Sequence, residues 1–149
     1  MKTHRIKKLV ISGISTVTNN ETEINSGNPK LPDLWGEYDE KNIYSATFNK
    51  VNDSAMYGVY SDYTSDLSGD YKYTVGVEVK KGKDVITIEN QKFLVFRAKG
   101  DISETVLQTW EKIWEYFANE NSEFKRKYSV DFEKYVAEEE IEIYISILD

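Results

Sequence analysis

Apolar and polar residues alternate with period two along several stretches of the chain and with a helical period along two others. Tyr71 to Val79 (YKYTVGVEV) is the clearest strand. Tyr71, Tyr73, Val75, Val77 and Val79 fall on one side, and Lys72, Thr74, Gly76 and Glu78 on the other. That spacing predicts one packed face and one solvated face. Lys7 to Val17, Ala55 to Tyr63, Gln91 to Lys99, Tyr128 to Val136 and Ile141 to Leu148 read as further strands, with a short separate apolar piece at Val85 to Ile88. Asp101, with Glu104 three residues on, has the pattern of a capping box. It opens the strongest predicted helix, where Val106, Trp110, Ile113, Trp114 and Phe117 form one apolar stripe. A shorter helix is expected in NPKLPDLWGEYDEK. Asn28 would be its cap, Pro29 its first residue, and Leu31, Leu34, Trp35 and Tyr38 its apolar face. Thr18 to Gly27, Thr64 to Asp70, Lys80 to Asp84 and Asn119 to Lys127 are polar and read as loops or turns, and AEEE (137–140) joins the last two strands.

The order is strand, helix, strand, strand, and then the same again. It predicts an α+β domain spanning 1–149, built from two pseudo-symmetric βαββ repeats at about 5–80 and 90–148. The two repeats would pair edge to edge into one antiparallel sheet. Both helices would lie on one face, with a central cleft between them as the natural ligand site.

Composition narrows the chemistry. With 149 residues, 40% of them hydrophobic, the chain has enough apolar side chain for a core. The 26 acidic against 19 basic residues give a net charge of −7. That balance argues against direct binding to nucleic acid, which needs a basic surface. It suits a small organic cation better. There is no Cys and a single His, His4. These counts exclude disulfides, zinc–thiolate sites and cysteine nucleophiles, and disfavour a multi-histidine zinc site or a Ser-His-Asp triad. No metal or cofactor is expected. The basic start MKTHRIKKLV loses its apolar run at Ser12 and Gly13, too soon for a signal peptide, and no segment reaches the length of a membrane span. A soluble, cytoplasmic protein is the expectation.

The strings YGVYSDY (57–63), GDYKYTVGVEV (69–79), WEKIWEYF (110–117), YSVDFEKY (128–135) and EIYISI (142–147) occur in that order. Together, over about Leu31 to Leu148, they resemble the GyrI-like effector-binding domain. That domain is also found in Rob-type, AraC-class and multidrug-responsive transcription regulators and in stand-alone integron-cassette proteins. The resemblance implies a central pocket for small, often cationic and aromatic molecules. It also implies an acidic pocket residue on the FE-x-Y strand, which maps to Glu133. Known regulators join this domain to a helix-turn-helix module for which 149 residues leave no room. The resemblance therefore implies effector binding in sensing or sequestration, with a regulator partner or a second copy of the chain left open.

Glu133 is the central candidate. The residues alone leave two readings. Tyr128, Val130, Phe132 and Val136 share one face of their strand, and Asp131, Glu133 and Tyr135 the other, which would point Glu133 to solvent. Alternatively, the AEEE turn can pair Val136 with Ile141, placing Glu133 opposite Tyr144; a shift of one residue would place it opposite an Ile. A carboxylate walled by aromatic rings loses hydration, and a cation restores that loss. Trp35, Tyr57, Tyr73, Phe93, Trp110, Trp114 and Tyr144 are the candidate walls. Trp110 and Trp114 also fit plain core packing. Eleven Tyr exceed what a core of this size needs, since each buried hydroxyl wants a partner. Two other functions are weighed against ligand binding. Hydrolysis of reactive small molecules, known for some relatives of the resembled family, would use a pocket Tyr at the position of Phe93, which has no hydroxyl. A protein-inhibitor module would have its pocket filled by side chains. The run Glu138-Glu139-Glu140 reads as a solvated turn.

Overall fold

The computed structural model describes residues 2–51 and 55–149. Its elements are β1 (Lys2–Thr18), α1 (Asn20–Asn25), α2 (Leu31–Glu40), α3 (Ile43–Ala46), β2 (Met56–Ser61), β3 (Tyr71–Glu78), β4 (Val85–Lys99), α4 (Ile102–Ala118), β5 (Val130–Ala137) and β6 (Glu140–Ser146). The α+β class and the doubled βαββ order are as expected. The expected first helix is α2, with α1 before it in the segment expected to be a loop and α3 after it.

Local chemistry explains where elements depart from the pattern. The polar segment after β1 forms helix α1 because the Asn19 side chain accepts the Thr22 N–H at 2.8 Å. Helix α2 begins at Leu31 and not at Pro29. Its exposed N–H groups are capped from outside: Glu23 of α1 accepts from Lys30 N at 3.0 Å and Leu31 N at 3.1 Å. Asp101 caps α4 through the Ser103 N–H. The two apolar pieces at 85–99 are one strand that passes through a left-handed residue, Asn90, with φ 46°. Asn tolerates that conformation better than most residues.

The sheet runs β1-β3-β2-β5-β6-β4 and closes into a barrel. This order reads the same from both ends when β1, β2 and β3 are matched to β4, β5 and β6. The two units meet edge to edge at β2 and β5, as expected, in the antiparallel register Met56↔Tyr135 to Ser61↔Val130. The closure was not anticipated. It comes from the long first strands of each unit, β1 and β4, which pair from Lys2↔Val95 to Ser12↔Val85.

Both faces of the sheet are covered. On one, Leu34 and Tyr38 of α2 and Trp110 and Ile113 of α4 pack over Tyr73, Val75, Leu94, Ile141, Ile143 and Ile145. On the other, Leu9, Ile11, Tyr57, Val59, Ile88, Phe93 and Phe132 form a second cluster. Strands that are not neighbours, such as β2 and β4, contribute to it together, so it fills the barrel. This corrects the expected solvated face of β3: Thr74 and Gly76 are buried, because that face looks inward. Thr74 shares a hydrogen bond with Ser15 there at 2.7 Å.

Candidate functional site

Two register facts decide which candidate residues meet. In the β2–β3 hairpin, Tyr60 pairs with Tyr73 and Tyr57 with Gly76. Directly paired residues share a face, so Tyr60 joins Tyr73 under the helices. Tyr57, three residues earlier, turns into the barrel against Phe132. In the β5–β6 hairpin, Tyr135 pairs with Ile141 and Glu133 with Ile143, with an irregularity between Tyr135 and Ala137. The bulge takes up one residue. Of the two registers weighed, the structure takes the one shifted by a residue, with Glu133 opposite an Ile, and the pairing with Tyr144 is corrected. Tyr144 sits opposite Phe132 and stacks on it, with ring centroids 4.4 Å apart.

Glu133 is 2% exposed, and burial resolves the two readings against the solvated one. Helix α4 covers the face that the strand pattern assigned to water. The carboxylate accepts four hydrogen bonds. Tyr73 and Tyr135 hydroxyls donate to Oε1 at 2.8 and 3.0 Å, and the Tyr60 hydroxyl and Trp110 Nε1 donate to Oε2 at 2.8 Å each. Trp35 Nε1 in turn donates to the Tyr73 hydroxyl at 3.2 Å. All four direct donors are neutral, and among the described residues no ion pair reaches Glu133. Burial first, and the adjacent Glu133 charge second, push the Tyr60, Tyr73 and Tyr135 hydroxyls well above their ordinary value. They stay protonated donors across the physiological range.

The sign for stability follows. Unfolded tyrosines release protons near pH 10, whereas the folded ones hold them. Stability from these groups is complete below pH 10 and falls as pH rises further. Urea unfolding midpoints are expected to be level from pH 8 to 9 and to drop between pH 10 and 11. A level profile up to pH 11 would contradict the buried quartet.

The carboxylate opens on a cavity of about 410 Å³ lined by Trp35, Tyr60, Tyr73, Trp110, Trp114 and Tyr135, among others. Five of the eight sequence candidates therefore meet here: Glu133, Trp35, Tyr73, Trp110 and Trp114. Trp110 is both core and wall, 5% exposed, with its ring 6.0 Å from that of Trp114. The structure places Tyr57, Phe93 and Tyr144 elsewhere, in and around the barrel interior. Phe93 stacks edge-on against Phe132 and Tyr144, so its missing hydroxyl says nothing about chemistry at Glu133.

Gly58 makes the quartet possible. A Cβ built there would lie 1.9 Å from the Tyr73 hydroxyl and 2.7 Å from Glu133 Oε1. Gly58→Ala is expected to displace both groups and to cost about 1–3 kcal/mol, the usual range for overpacking. Urea unfolding checks this, together with a change in tryptophan emission as Trp110 loses its acceptor.

Sequence reasoning missed Tyr60, Tyr63, Tyr71, Asp131 and Arg126. Arg126 lies in the stretch read as a polar loop, yet its side chain is 6% exposed and lines the cavity. Its Nη2 donates to Asp131 Oδ2 at 2.9 Å. Asp131 is fully buried. It also accepts from the Tyr63 hydroxyl, from Ser146 N at 2.7 Å and from Ser146 Oγ at 3.1 Å. Burial works most strongly against the Arg126 charge, but Asp131, Tyr63 and Tyr128 together outweigh it, and the guanidinium is held above its ordinary value. Among the described residues, no group of three or more His, Cys, Asp or Glu could hold a metal ion.

A buried carboxylate in an aromatic chamber, set between the helices of a doubled βαββ barrel, defines an effector-binding domain. The chain belongs to the Cass2 family of integron-associated effector binding proteins, whose family model matches residues 5–147. Among solved structures it is similar to VCH_CASS2, an integron cassette protein from the mobile metagenome of Vibrio cholerae. That match has a TM-score of 0.80 and 25% identity, covering 99% of this chain and 95% of the other. The structure of SAV2435 bound to tetraphenylphosphonium matches with a TM-score of 0.77 at 20% identity, over 99% and 93% of the two chains. A sequence relative in Bacillus subtilis (strain 168), named "Putative transcriptional regulator protein YobU", is 26% identical over 131 residues, which is 83% of this chain and 79% of that protein. No helix among the described residues is long and apolar enough to cross a membrane.

Proposed function

We propose that the chamber binds lipophilic organic cations and that the protein senses or sequesters them. The observation that carries this reading is a buried, ionisable Glu133 held only by neutral donors at the wall of an aromatic cavity. Its charge has no counter-ion among the described residues, so a cationic guest would supply one. The rings would add roughly 0.5–2 kcal/mol for each face that meets the charge. The same-fold protein SAV2435 is known bound to one such cation, tetraphenylphosphonium, and the named relative in Bacillus subtilis suggests a place in gene regulation.

The geometry favours binding over turnover. A carboxylate offers about four lone-pair sites, and Glu133 has all four in use. To activate a water it would first have to release a Tyr or Trp partner. The protein-inhibitor reading expects a chamber filled by side chains, and the cavity of about 410 Å³ argues against it.

The test is charge dependence. Tetraphenylphosphonium and the neutral triphenylphosphine oxide are titrated against the protein and followed by tryptophan fluorescence. Saturable binding of the cation, at least tenfold tighter than the oxide, is expected. Equal affinity for the two would defeat the reading.

A further inference from the structure

The chamber has a second pole that cation binding does not use. Arg126 and Glu133 both line the cavity, and both engage Trp110. The indole N–H donates to Glu133 at 2.8 Å, while the Arg126 guanidinium carbon lies 5.7 Å from the ring centroid. The guanidinium is fixed by three rings, with Tyr128 at 4.4 Å and Tyr63 at 5.9 Å as the other two. The ion pair with Asp131 is end-on: every hydrogen bond that Arg126 makes to the described residues leaves from Nη2, to Asp131 and to Tyr63. Among the described residues Nε is buried with no acceptor, and Nη1 has none either. Arginine carries five N–H donors in a planar fork suited to a carboxylate. This one is held in place with its Nη1 donors unused by the described residues and Nε closed off from the cavity. Asp131 is not free to compete for a ligand's proton or charge, because Tyr63, Ser146 and Arg126 already occupy it.

We propose that Arg126 is an acceptor-binding pole of the chamber. The preferred effector is then a cation that also carries a carboxylate or strongly polar carbonyl. This rests on the cation reading above and adds a specificity to it. The prediction runs against the local charge. With Glu133, Asp131 and Glu23 all near the cavity, a pocket that ignored Arg126 would disfavour any carboxylate on the guest.

The test compares rhodamine B, a zwitterion with a free carboxylate, and its ethyl ester, which keeps the cationic ring system and loses the anion. Tetraphenylphosphonium is the control without an acceptor. The wild-type chain is expected to bind rhodamine B at least fivefold more tightly than the ester. In Arg126→Lys, which keeps the charge near Asp131 but not the fork, that ratio falls to one or below. The double variant R126M/D131A removes both charges and is expected to give the same loss, so an unstable variant of either kind leaves the other to read. A wild-type ratio at or below one, with phosphonium still bound, overturns the acceptor pole alone. So does a ratio that survives in the variants. Failure of the wild type to bind any of the three probes overturns the cation reading and this proposal with it.

Discussion

Glu133→Gln is expected to weaken tetraphenylphosphonium binding by about 10- to 100-fold while leaving the weak affinity for triphenylphosphine oxide within about twofold. The magnitude follows from Coulomb's law. A unit charge about 6 Å from the carboxylate, at an effective dielectric of about 20, gains roughly 2–3 kcal/mol. Part of that is offset by desolvating the guest, leaving about 1.4–2.7 kcal/mol, or one to two decades in Kd. The substitution is nearly isosteric, so the chamber keeps its shape. Three of the four donors are hydroxyls that can turn and accept from the new amide; only the Trp110 N–H has no such freedom. Fluorescence titration of both probes against both proteins is the measurement. An E133Q protein that binds the phosphonium within twofold of wild type would remove the electrostatic basis of recognition.

The second large effect concerns stability. Asp131→Ala should destabilise the fold by about 3–5 kcal/mol, the range for breaking a buried ion pair by removing one partner. Asp131 is fully buried, and its loss leaves the Arg126 charge unpaired with 6% of its side chain exposed. It also removes the acceptor, Asp131 Oδ1, of two Ser146 donors that help to fix β6 beside β5. The double variant R126M/D131A is expected to recover at least half of the loss, because no bare charge remains. Urea unfolding of the three proteins gives the comparison. A single-variant cost below 1 kcal/mol would mean that water reaches this pair.

These two residues also show how far the sequence carries. Glu133 stood out through the family resemblance carried by the FE-x-Y strand, since the strand pattern alone pointed it to solvent. The Trp stripe of α4 was legible from its period, and so was the doubled βαββ order. Parity was not. Whether Tyr57 or Tyr60 faces Glu133 depends on the hairpin register, and whether Tyr144 does depends on a single bulge near Val136. Neither leaves a mark in a hydrophobic pattern. Asp131 looked solvated because the strand pattern assumes one dry face, and here the barrel interior and the helix layer both exclude water. Arg126 gave no signal at all: its neighbours are polar, and only the fold brings it against Asp131 and the three rings.

Closure of the sheet has a consequence for how this protein meets others. Each of the six strands has a neighbour on both sides, but β1 pairs with β3 only from Ile11 to Thr18, so among the described residues Lys2 to Leu9 have a strand on one edge alone, beside β4. A visiting strand could extend the sheet at such an end, away from the chamber. Under the chamber itself β2, β3, β5 and β6 are paired on both edges, so a reader of its filled or empty state meets side chains there, on the helices and connecting segments that surround its mouth.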